Sequence, residues 1–105
     1  MTARDWTFLS NHGHVLTALG HDPQARTRDV AQSVGITERA VQLIVRELVD
    51  QGYLEIEKVG RRNRYLVIPS THLRHPLESR VTVGEFLNLI VGPDESNPAQ
   101  RSGGC

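Results

Sequence analysis

Residues Thr27 to Val67, TRDVAQSVGITERAVQLIVRELVDQGYLEIEKVGRRNRYLV, decide how this chain folds. The first part has helical spacing. Val30, Ala31 and Val34 recur three or four apart, Thr27 stands where an N-cap is expected, and Gly35 stops the run after about two turns. A longer helix follows, with Thr37 as its cap and Glu38 in the first turn, where a carboxylate meets the positive end of the helix dipole. Val41, Val45 and Leu48 make its buried stripe, Ile44 and Val49 flank it, and Gly52 closes it. Beyond Gly52 the apolar period falls to two: Leu54 and Ile56 alternate with Glu55 and Glu57, and RYLVI supplies a second β-rich run. Gly60 and Asn63 in the intervening GRRN are turn formers, so the pair predicts a hairpin. Two strands alone are marginal in water, and this hairpin must lean on the helices.

On the N-terminal side, SNHGHVLTALGHDP predicts a further helix. Ser10 or Asn11 caps it, Val15, Leu16 and Leu19 form its apolar face, and Gly20 with Pro23 ends it. On the C-terminal side, an irregular stretch after Pro69 leads to VTVGEFLNLIV, where Val83, Phe86, Leu87 and Ile90 predict a fourth helix over 82–91. Residues 92–105, GPDESNPAQRSGGC, are polar and rich in Gly, Pro and Ser and read as a disordered tail. Residues 1–91 then form one domain. Two helices joined by a tight turn, with a hairpin directly after the second, make a winged helix-turn-helix. The expected fold class is α+β: a three-helix core, a β-hairpin wing and an additional C-terminal helix.

Composition narrows the function classes. A chain of 105 residues with 38% hydrophobic and 23% charged residues is expected to be soluble, with one modest core. No apolar run approaches the roughly 18 residues a membrane helix needs, and the start of the chain lacks the pattern of a secretory signal. The one cysteine, Cys105, permits no internal disulfide and fits a reducing cytoplasm. No phosphate-binding loop, nucleophile elbow or CxxC pair is present, so neither an enzyme nor a cofactor is expected. His12, His14, His72 and His75 invite a metal reading, but no cysteine accompanies them and their spacing is common by chance. No metal is expected, and His12 and His14 are read as capping or packing the first helix.

The chain resembles the winged helix-turn-helix transcriptional regulators of the MarR-like and ArsR-like type. Thr27 to Val67 carries the resemblance, with Gly35 in the turn, Leu48 four residues before the GYL at Gly52 to Leu54, and GRRNRY as the wing. WTFLSNHGHVL and the LRHPLE segment are similar to small members of that group. The resemblance implies a cytoplasmic, sequence-specific binder of double-stranded DNA, a repressor, acting as a homodimer; the effector ligand is unknown.

The residues make the same case independently. With Val41, Val45 and Leu48 in the core, helical spacing leaves Glu38, Arg39, Gln42, Leu43 and Arg46 on the other side. In a major groove Arg pairs with guanine, Gln with adenine, and an apolar group meets the thymine methyl. Arg39 and Gln42 are the expected base readers and Arg46 a phosphate contact, with Thr37 and the helix N-terminus offering further donors to a phosphate. Leu43 touches a thymine methyl or, if the helix is rotated, belongs to the core.

The wing gathers Lys58, Arg61, Arg62 and Arg64 around Asn63 in a chain of zero formal charge. Such a run is ordinarily a solvated surface; after a helix-turn-helix it reads as a contact to the DNA backbone or minor groove. Tyr65 is expected to pack the wing onto the helices. Trp6 and Phe8 read as core anchors or dimer contacts, and Phe86, Leu87 and Ile90 either complete the core or pair with a second copy. The competing reading is a winged-helix protein–protein interaction module without DNA binding.

Overall fold

A computed structural model of the chain describes residues 6–92. The tail expected after residue 91 lies almost wholly outside these residues. In order, the elements are α1 (Asn11–His21), α2 (Thr27–Val34), α3 (Glu38–Asp50), β1 (Leu54–Val59), β2 (Arg62–Val67) and α4 (Val83–Ile90). The α+β winged helix-turn-helix expected from the sequence is the observed fold.

One core serves all of them. Val15, Leu16 and Leu19 of α1, Val30 and Ala31 of α2, and Val41, Ile44, Val45 and Leu48 of α3 are buried together with Tyr53, Leu54, Tyr65 and Val83. Ile44, expected at the flank, is buried, while Val49 is half-buried. Tyr65 packs the wing onto the helices as expected, through Ile56 opposite it and Leu54 beside it on the inner face.

Helix ends follow local chemistry, with two departures from the sequence reading. Ser10 caps α1 by accepting from the Gly13 N–H, but the helix runs through Gly20 to His21 and closes at Asp22. Gly20 stays helical because α4 lies against it: a Cβ there would stand 3.3 Å from both Leu87 methyls. Thr27 is not the cap of α2. The Arg26 carbonyl accepts the first helical bond, from Val30, so Arg26 holds the cap position and makes no side-chain cap. Thr37 caps α3 through the Ala40 N–H, as expected, and Thr82 with Glu85 forms a reciprocal capping box on α4.

The turn between α2 and α3 is Gly35, Ile36 and Thr37. Gly35 has φ of +88°, a left-handed value that costs other residues about 1–2 kcal/mol, and its N–H and that of Ile36 both reach the Ala31 carbonyl. At the far end of α3 the N–H of Gly52 bonds the Val49 carbonyl and that of Tyr53 bonds the Leu48 carbonyl, a Schellman closure that turns Tyr53 inward. The Gly52–Tyr53 pair then anchors the segment after β2. Thr71 Oγ1 donates to the Gly52 carbonyl, Ile68 N–H to the Tyr53 carbonyl, and the Tyr53 hydroxyl accepts from the Arg74 N–H at 2.7 Å.

The hairpin is antiparallel, with Leu54 opposite Val67 and Val59 opposite Arg62. The turn is therefore Gly60–Arg61 alone, shorter than the GRRN expected from composition; Arg62 and Asn63 belong to β2. Gly60 at φ of +64° allows so tight a connection.

The Gly35→Ala variant tests the turn. A Cβ at Gly35 meets nothing within 4 Å, so only backbone strain changes. The expected loss is about 1 kcal/mol, lowering the midpoint by about 4–8 °C in calorimetry.

Candidate nucleic-acid interface

The face α3 turns outward follows from what it buries. At about 100° per residue, Val41, Ile44, Val45 and Leu48 centre on one direction, and Arg39, Leu43, Arg46 and Asp50 fall within about 30° of the opposite one. Gln42 lies to one side of that line and Glu38 farther round. All six are exposed. Leu43, left open between groove and core, is 55% exposed and outside the core. Thr37, at the N-terminus of the helix, already accepts the Ala40 N–H.

The wing separates its cations. Register places Leu54, Ile56 and Lys58 on the same face as Val67, Tyr65 and Asn63, and puts Glu55, Glu57 and Val59 with Leu66, Arg64 and Arg62 on the other. Arg64 faces Glu57, its cross-strand partner, with 3.8 Å between Nη1 and Oε1; both are about half exposed, so the pair contributes little to stability. Arg62 reaches from the wing to the loop between α1 and α2, where its Nη2 donates to the Gln24 carbonyl at 2.7 Å. Three residue pairs along the hairpin, the Tyr65 N–H donates to the Pro23 carbonyl at 2.8 Å. Lys58 and Arg61 make no hydrogen bond or ion pair among the described residues. Of the four wing cations, Arg62 ties the wing to that loop, Arg64 is paired within the wing, and the side chains of Lys58 and Arg61 are free at its end among the described residues.

The stitching at Pro23 and Gln24 brings in residues that the sequence reading passed over. Arg26 and Arg28 are exposed at the start of α2, directly after the loop that the wing grips. The triplet Arg26-Thr27-Arg28 at a helix start was the available signal.

The remaining candidates resolve into local roles. His12 Nε2 lies 2.7 Å from Glu47 Oε1, tying the start of α1 to the last turns of α3. His72 Nδ1 is 2.8 Å from the Ser79 carbonyl, and His75 Nδ1 accepts the Leu77 N–H. Among the described residues no three metal-ligating side chains come together, and no helix is long and apolar enough to cross a membrane.

Trp6 and Phe8 are 82% and 94% exposed, so they do not anchor the core. In α4, Phe86 and Leu87 pack against the core, while Leu89 is 83% and Ile90 47% exposed. Phe8, Leu77, Phe86 and Leu89 line an open groove of about 1010 Å³ between α1, α4 and the end of α3.

Comparison with known proteins agrees with this geometry. Residues 10–55 match the model of the winged helix-turn-helix DNA-binding family. The fold is similar to that of the PcaV transcriptional regulator from Streptomyces coelicolor, solved in complex with its natural ligand, with a TM-score of 0.53 and 21% identity over 90% of this chain and 69% of that one. It is also similar to MepR, a transcription regulator of the Staphylococcus aureus multidrug efflux pump MepA, with a TM-score of 0.51 and 17% identity over 90% of this chain and 73% of that one. At such identities the likeness concerns the fold. No curated protein shows significant similarity to the chain.

Removing the Arg62 guanidinium releases the wing from the loop. Arg62→Ala is expected to cost about 1 kcal/mol or less in global stability, because the bond is exposed, yet to speed amide exchange selectively between residues 58 and 65. Hydrogen-exchange mass spectrometry reads both.

Proposed function

We propose that this chain is a transcriptional regulator that binds duplex DNA with α3 in the major groove and the wing along the adjacent backbone or minor groove. The observation that carries the reading is the presence, on one small winged helix-turn-helix, of three exposed features. These are the outward stripe of α3, the free cations Lys58 and Arg61, and the uncapped start of α2 with Arg26 and Arg28. A groove of this width admits one helix, and phosphates on either side need cations at the spacing a wing supplies. Arg39 and Gln42 are assigned to bases, and Glu38 is placed to accept from a cytosine amine. Arg46, Lys58, Arg61, Arg26 and Arg28 are assigned to phosphates. Asn63, opposite Lys58 in the wing, and Thr37 at the start of α3 are assigned to the same footprint. Arg62 and Arg64 act first as supports of the wing.

Zero formal charge does not oppose this, since affinity follows charge at the contact. The likeness to two regulators and the family match over residues 10–55 support the same reading. Repression follows most simply, by covering a promoter, and the site of action is the cytoplasm.

The regulator acts as a homodimer. Phe8, Leu77 and Leu89 are each more than four-fifths exposed beside one apolar groove, a concentration soluble monomers rarely present. Phe86 lines that groove, while Ile90 borders a separate hollow beside α1 and α2 and Leu87 is occupied against Gly20. Paired by a twofold axis, two copies read half-sites about one turn of DNA apart.

Binding of a labelled genomic duplex pool across a salt series tests the reading. The Lys58→Ala/Arg61→Ala variant is expected to bind all duplexes more weakly and to lose up to about 0.9 from the salt slope per phosphate contact removed. Gln42→Ala instead shifts preference at one base position. Absence of binding by the parent protein at low salt would refute duplex recognition. Leu89→Asp is expected to move the sedimentation coefficient from dimer to monomer while circular dichroism stays unchanged, because Leu89 is 83% exposed.

A further inference from the structure

We infer that Leu43 reads the C5-methyl group of a thymine, so that the DNA element this chain selects carries a thymine beneath the middle of α3. The inference rests on the duplex-binding reading and names a specificity determinant within it.

Leu43 is set apart from every other exposed large apolar residue. Phe8, Leu77 and Leu89 border the groove between α1 and α4, Ile90 lines a separate hollow beside α1 and α2, Trp6 precedes α1, and Ile56 and Val59 belong to the wing. The α3 residues lining the apolar groove are Glu47, Leu48 and Asp50, not Leu43. Leu43 projects with 55% of its surface in solvent opposite the buried stripe of α3, about two turns before Asp50. Arg39 lies one turn before it and Arg46 one turn after, both exposed and without an ion pair among the described residues. An apolar side chain thus occupies the centre of a cationic stripe that no part of the domain covers.

The chemistry of the groove then limits what it can meet. Guanine, cytosine and adenine show hydrogen-bonding groups and bare C–H positions along their major-groove edges, and thymine alone adds a methyl. A leucine pressed over a guanine or cytosine edge would strip water from donors and acceptors and return no bond. Over a thymine it covers the methyl and leaves O4 at the margin. Leu43 therefore selects in two ways: it rewards the methyl and penalises the bare polar edges. Burial of one methyl group corresponds to about a fourfold gain in affinity.

The test uses a duplex enriched from the genomic pool, with each thymine replaced singly by deoxyuridine, which removes the methyl and nothing else. For the parent protein, one thymine in each half-site is expected to lose about fourfold in affinity on that replacement, and for Leu43→Ala none is. Placing a cytosine at that position and methylating its C5 is expected to recover about fourfold for the parent alone. Leu43→Ala should keep the salt slope of the parent, since it removes no phosphate contact. Parent protein that tolerates uracil at every position, or a Leu43→Ala variant that suffers the same uracil penalty, overturns the inference while leaving duplex binding intact. Failure of the parent to bind any duplex overturns both.

Discussion

The burial of one stripe on α3 governs this domain. Val41, Ile44, Val45 and Leu48 press the helix onto α1 and α2, and because a helix is rigid about its axis, burying that side determines what the other side presents. Arg39, Leu43 and Arg46 are outward for no reason of their own. They are where the core is not. The closure at Gly52 and Tyr53 extends the same constraint: Tyr53 joins the core, starts the hairpin in register, and gives the segment before α4 carbonyl and hydroxyl groups to hold.

The wing depends on a second, smaller set of bonds. A two-stranded ribbon has little stability of its own, and this one is fastened along its β2 edge to the loop between α1 and α2 by Tyr65 and Arg62. The fastening fixes the direction of the wing relative to α2 and α3. It also divides the labour of the cations. The side chains of Arg62 and Arg64 are engaged within the domain, and those of Lys58 and Arg61 make no hydrogen bond or ion pair among the described residues.

Exposed cations stand on α3, on the wing and at the start of α2, while Phe8, Leu77 and Leu89 border the groove between α1 and α4. His12 and Glu47, in contact across the start of α1 and the end of α3, both line that groove.

How much of this was legible in the sequence depended on the range of the interactions. Helical and strand periods, the caps Ser10 and Thr37, the stop at Gly35 and the order helix, turn, helix, hairpin are properties of neighbouring residues, and each was readable from the chain. Single-residue errors arose where the backbone outvoted the side chain: at Thr27, displaced from the cap by the Arg26 carbonyl, and at Arg62 and Asn63, drawn into β2 by the tight turn. Only the tertiary structure decided that Leu43 faces solvent and that Leu87 packs on Gly20. It alone joined Arg62 to Gln24, 38 residues away. Periodicity tells which residues share a face of a helix, but not what that face meets. That is settled when distant segments compete for the same buried surface, and the competition has no local trace in the sequence.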